Sequence, residues 1–125
     1  MDQHQHTVME LRIQKTMKHL EQNNMKPFYA RDKAEAVQIV ESLLQEGDTV
    51  TAGGTMTMYE SGIAALLESG KYHFLDRNRP GITQEEIDDI YRKAFSADAY
   101  ICSSNAVTEN GELFNVDGNS NRVAA

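Results

Sequence analysis

Three side-chain caps recur along this sequence, each followed three residues later by a glutamate able to bond back to the cap's own N–H: Asp32 with Glu35, Thr57 with Glu60, and Thr83 with Glu86. Each opens a stretch whose apolar residues return at helical spacing. The first carries Ala36, Val37, Val40, Leu43 and Leu44, the second Ile63, Ala64, Leu66 and Leu67, and the third Ile87, Ile90, Tyr91, Ala94 and Phe95. Gly47 and Gly70 follow the first two as stop signals. Short apolar runs at residues 48–52, 72–75 and 97–103 alternate with these helices and read as strands. Strands joined by helices need right-handed crossovers, so the expectation is an α/β fold with a mostly parallel sheet and helices on both faces.

The same reading places a helix over residues 8–23, with Asn23-Asn24 able to take the left-handed conformation that ends it, and a short strand at 26–30 around Phe28 and Tyr29. Residues 1–7 are polar and read as a frayed, disordered terminus, so His4 and His6 are more simply solvated than metal-bound. Past residue 103 the pattern changes. Glu109-Asn110-Gly111 lies between Val107-Thr108 and the 113–116 run, and Asn-Gly between apolar positions is a strong hairpin signal. A C-terminal β-hairpin projecting from the sheet is expected.

With 125 residues the chain makes one domain, which buries roughly two thirds of its unfolded surface and needs no disulfide or metal to hold it. The net charge of −7 argues against binding to a nucleic-acid backbone, which depends on clustered Lys and Arg. No apolar run is long enough to span a membrane, and no secretory signal opens the sequence, so the expectation is a cytoplasmic protein. Cys102 is the single cysteine, which leaves no thiolate set for an iron–sulfur cluster. It reads as a small core residue rather than a nucleophile.

The candidate site begins where the run at 48–52 meets Gly53-Gly54 and the helix behind them. Paired glycines let a backbone turn sharply and approach a ligand, and the free N–H groups of a following helix favour an anion. Gly53, Gly54, Thr55, Met56 and Thr57 are therefore candidate ligand-binding residues, although α/β proteins also place small residues wherever a strand turns into a helix. Met56 and Met58 suit pocket wall or core. Glu60 is the weak catalytic candidate; if it caps its own helix it is not free to move protons. Arg77 and Arg79 stand in the polar 76–81 loop at the carboxyl end of the next strand, where parallel sheets bind ligands, and a guanidinium can grip a carboxylate or phosphate in two places. The run Glu85, Glu86, Asp88 and Asp89 suits a helix start rather than a metal. Asp117, Asn119 and Asn121 alternate like calcium ligands but lack the downstream bidentate Glu, so a polar turn is the simpler reading and no metal is expected.

Taken together, the 104–113 segment, the Asn115-Val116-Asp117-Gly118-Asn119-Ser120-Asn121-Arg122-Val123-Ala124 segment, Gly53-Gly54-Thr55-Met56-Thr57 with Glu60 and Gly62, and Leu75-Asp76-Arg77 resemble the LUD domain of lactate utilisation proteins. The resemblance runs from the first helix to the end of the chain. It implies a fold related to sugar-phosphate isomerases and CoA transferases, in a bacterial cytoplasmic protein tied to oxidation of L-lactate to pyruvate. It also implies that iron–sulfur clusters sit on partner subunits, with no cofactor in this chain, and it transfers no catalytic residue. Members usually continue past the Asn-Arg-Val-Ala segment, whereas this sequence ends at Ala125. An incomplete domain that covers its open surfaces as a homo-oligomer is the expectation.

Three functions are compatible with these residues. The first is an accessory or ligand-binding component in which Gly53, Gly54, Thr55, Met56, Thr57, Arg77, Asn105, Asp117, Asn119, Asn121 and Arg122 hold a small anionic metabolite, a carboxylate or phosphate. The second is an isomerase or acyl-transfer enzyme with Glu60 as acid–base and Arg77 or Arg122 as anion clamp. The third is a structural partner without a ligand.

Overall fold

The backbone reads α1 (Gln3–Gln22), α2 (Lys33–Leu43), β1 (Thr49–Ala52), α3 (Met56–Glu60), α4 (Ile63–Leu67), β2 (His73–Leu75), α5 (Gln84–Lys93), β3 (Ala99–Ile101), β4 (Ala106–Val107), β5 (Leu113–Phe114) and α6 (Asn121–Ala124). This is a computed structural model, and it describes residues 2–118 and 121–125. A 3-10 turn at Ala94–Ser96 links α5 to β3. The chain divides into two compact units. One is the chain through Tyr29 with Ser104–Val116; the other is Ala30–Ser103 with Asp117–Ala125.

The larger unit is built on β1, which lies between β2 and β3 with both neighbours parallel to it. Val50 pairs with Phe74 on one side and Ala99 on the other. Val50 is 0% exposed and Thr51 is 1% exposed, and since successive strand residues point to opposite faces, both faces of β1 are covered. Val50 and Ala52 join Met58, Ala64 and Leu67 in the core, with Leu44, Ile63, Tyr72, Phe74, Ala99 and Ile101 packed around them. Burying a side chain the size of Leu67 contributes about 2 kcal/mol. The expected α/β class and parallel sheet are both present.

The caps explain where the helices differ from expectation. Thr83 and Glu86 form the full reciprocal box, with Glu86 N–H donating to Thr83 Oγ1 at 3.2 Å and Thr83 N–H donating to Glu86 Oε2 at 2.9 Å. Asp32 makes only its half, accepting from Glu35 N–H at 2.8 Å, because the Glu35 carboxylate takes the Arg31 guanidinium instead. The Thr57 box does not form. Thr55 is the cap, accepting from Met58 N–H at 3.3 Å, and Thr57 lies inside the helix. The single helix expected up to Leu67 is also broken in two, because Gly62 takes a φ of 91°, which right-handed helix cannot continue through.

In the smaller unit, α1 starts at Gln3 rather than near residue 8. It takes in residues that read as a frayed terminus, because Asp2 and Gln5 form a capping box there. It ends as foreseen, with Asn24 at φ 65°. No strand forms around Phe28 and Tyr29; that stretch carries no ladder. The hairpin is present, with Ala106 opposite Phe114 and Val107 opposite Leu113. Thr108 N–H donates to Glu112 O at 2.9 Å, Gly111 N–H returns to Thr108 O at 3.0 Å, and Gly111 has φ 80°, the three-residue loop with a glycine bulge. It forms its own two-stranded sheet instead of projecting from the parallel one. Its turn seats on α1: His19 Nδ1 bonds Glu109 O at 2.6 Å, and Asn23 Nδ2 donates to the carbonyls of Asn110 and Gly111 at 3.1 and 2.9 Å.

Candidate functional site

The carboxyl ends of three parallel strands bring β1, β2 and β3 out at one edge, and the residues that follow them meet there. Gly53 continues the ladder by donating its N–H to Ile101 O at 2.8 Å. Neither Gly53 nor Gly54 has a positive φ, so the double glycine is not required by the turn itself. The requirement is space. A Cβ on Gly53 would lie 2.8 Å from Tyr100 Oη and 3.3 Å from Cys102 Cβ, and one on Gly54 would lie 2.9 Å from Arg77 Nη2.

Arg77 follows β2 in a loop held by Asp76, whose carboxylate accepts Asn78 N–H at 2.9 Å. Arg77 Nη1 donates to Tyr91 Oη at 2.9 Å, and the guanidinium lies 5.6 Å from the Tyr91 ring centre. The other loop arginine is engaged elsewhere, since Arg79 pairs with Glu86 at 3.2 Å at the start of α5. Arg122, on α6, donates from Nη2 to Gly54 O at 2.9 Å. Its neighbour Asn121 reaches Tyr100 Oη at 3.4 Å, and Asp117 caps the same short helix by accepting Val123 N–H at 2.9 Å. Thr55 and Ser103 join hydroxyls across the β1 and β3 exits.

Burial raises Tyr100 above its ordinary pKa, and nearby Cys102 adds to this, while Arg77, Asn121 and Arg122 pull the other way. Cys102 is raised by the same cause and opposed by Arg122; it lies just past β3 and is exposed, so it is not the small core residue expected. Both groups are therefore neutral at pH 7. No carboxylate or imidazole contributes to the shift at Cys102, and His73 lies at the opposite end of β2, paired with Thr49. The set can donate hydrogen bonds and hold negative charge; it contains no activated nucleophile.

Of the expected binding residues, Gly53, Gly54, Thr55, Arg77, Asp117, Asn121 and Arg122 are brought into this arrangement. Met56 is 72% exposed, and Thr57 and Glu60 point into solvent from α3. Glu60 does not cap its helix, so the conflict over its use dissolves, but it gains no partner among the described residues either. A five-residue α3 also supplies little dipole to an anion. Asn105 belongs to the other unit, where its Oδ1 accepts Val116 N–H at 2.9 Å and holds the hairpin base. Asn119 lies outside the described residues. Sequence reasoning missed Tyr91, Tyr100 and Ser103. Applying the strand-end rule to the third strand as well as the first two would have found Tyr100 and Ser103.

Among the described residues no group of three or more His, Cys, Asp or Glu could hold a metal ion, and no helix is long and apolar enough to cross a membrane. A family model described as the LUD domain matches residues 13–125, nearly the whole chain. No curated protein and no solved structure matches it.

Proposed function

The chain belongs to the LUD domain family, and from that premise we propose that it is an accessory, ligand-binding component of L-lactate oxidation to pyruvate. It binds a small carboxylate or phosphate at the Gly53-Gly54 turn. The observation that carries this reading is the convergence of two guanidiniums, Arg77 from the loop after β2 and Arg122 from α6, on one glycine. Guanidinium donors beside a residue without a side chain give an anion access to charge-assisted bonds, and those from Arg are among the stronger ones a protein offers. Tyr100 Oη, neutral at pH 7, is available as a further donor to the same ligand.

Titration calorimetry with lactate, pyruvate, inorganic phosphate and a sugar phosphate tests the proposal. Heat from at least one of them, reduced about tenfold or more in affinity by Arg77→Ala, is the expected result. Absence of heat from all four leaves the purely structural reading of these turns and caps as the better one.

A further inference from the structure

We infer that Tyr91 is a positioning residue for the anion site, acting through Arg77; the inference rests on the binding role given to Arg77 above. Arginine has several rotatable bonds, and an unrestrained guanidinium loses side-chain entropy when a ligand fixes it. Arg77 is restrained in advance. No carboxylate pairs with it among the described residues; its partner is the hydroxyl of Tyr91, which accepts from Nη1 at 2.9 Å while the ring lies 5.6 Å from the guanidinium carbon. With one edge of the fork fixed, Nη2 is turned to Gly54, within 2.9 Å of where a Cβ would stand.

A phenol suits this task better than a carboxylate. A carboxylate would neutralise the charge that an anion needs, whereas a hydroxyl fixes direction and leaves the charge in place. Tyr91 has a firm base for the purpose. It sits on α5 next to buried Ile90, in a helix started by the complete Thr83 and Glu86 box. The inward apolar pattern of that helix predicts Tyr91 as packing; its hydroxyl instead serves the loop after β2.

The experiment compares wild type, Tyr91→Phe and Arg77→Lys by two measurements: affinity for inorganic phosphate and pyruvate, and nitrogen-15 NMR of the Arg77 guanidinium in the ligand-free protein. Tyr91→Phe removes a single oxygen and is expected to weaken binding about fivefold to tenfold, with a melting temperature close to wild type. The Arg77 guanidinium rotates slowly in wild type and freely in the variant. Arg77→Lys loses the fork and is not affected further by adding Tyr91→Phe. If Tyr91→Phe does not fold, the wild-type measurement decides: a freely rotating Arg77 guanidinium overturns the inference. Wild-type affinity in the variant, or unchanged guanidinium rotation, overturns the inference. If wild type binds neither probe, the binding role of the site fails on its own, and the rotation measurement alone decides whether Tyr91 orients Arg77.

Discussion

Arg122 Nη2 donates to the carbonyl oxygen of Gly54 at 2.9 Å, joining residues 68 positions apart. The bond ties a four-residue helix, too short to be stable alone, to the exit of the central strand. Arg122→Ala removes this tie and one of the two cations. Binding of phosphate or pyruvate is expected to fall about tenfold to a hundredfold. Arg122→Lys recovers little, since an ammonium does not reproduce the planar geometry of the fork. Calorimetry on the two variants checks both statements.

Gly53 and Gly54 are constrained by different neighbours, and their alanine variants separate accordingly. At Gly53 the new Cβ meets Tyr100 Oη at 2.8 Å and Cys102 Cβ at 3.3 Å, one on β3 and the other just after it. Strand-anchored neighbours yield poorly, so Gly53→Ala is expected to destabilise by about 1–3 kcal/mol. At Gly54 the contact is Arg77 Nη2, the far end of a flexible side chain. Gly54→Ala should leave the denaturation midpoint nearly unchanged and weaken anion binding severalfold. Equal stability losses in urea for the two variants would contradict this division.

The parallel sheet, the alternation of its three strands with helices and the Asn110-Gly111 hairpin were legible in the sequence because each rests on short-range chemistry: apolar spacing, glycine stops and turn residues. The Thr57 cap was not. Thr55 and Thr57 both precede a helix-like pattern, and the choice between them is made by Ser103, which holds the Thr55 hydroxyl from just past a strand far along the chain. The Gly62 break was hidden for a similar reason, since a glycine inside an apolar helical pattern is tolerated as often as not. In the site, Gly53, Gly54 and Arg77 could be read from their place at strand ends. Tyr91 could not, because its position in an amphipathic helix predicts packing and only the tertiary fold sets its hydroxyl beside a loop cation.

The corrected cap has a direct test. Thr55→Ala loses the bond to Met58 N–H and the contact with Ser103, and is expected to cost about 1–2 kcal/mol. Thr57→Ala, at an exposed position inside α3, should change stability by less than about 0.5 kcal/mol. Denaturant unfolding of both variants checks the assignment, and the reverse order would restore the Thr57 box.

The hairpin exposes Val107, Leu113, Phe114 and Val116. A two-stranded hairpin is marginal by itself in water, and exposed apolar side chains on it favour contact with another surface. Self-association is the expected outcome. Sedimentation at micromolar concentration checks it, with Phe114→Ser and Val116→Ser together shifting the protein toward monomer; a monomeric wild type would exclude it.

Glu109 connects the hairpin turn to α1 and makes that contact depend on acid. Arg12 hydrogen-bonds its carboxylate, Lys15 Nζ approaches to 3.8 Å, and His19 bonds its backbone carbonyl. The hydrogen bond from Arg12 and then that cation's field hold the carboxyl below its ordinary 4.5 against the cost of desolvation, with a lesser contribution from Lys15. A carboxyl depressed in the folded state contributes stability that is complete above the ordinary value and is lost as pH falls through the folded one. Melting temperature should therefore drop on acidification from about pH 5 to 3 more steeply in wild type than in Glu109→Gln, which has no charge to lose. Gly111→Ala supplies the matching control. Its Cβ would come within 2.5 Å of the His19 backbone at φ 80°, so it unseats the turn at every pH. Parallel pH profiles for wild type and Glu109→Gln would show that the ion pair contributes nothing to holding the turn on the helix.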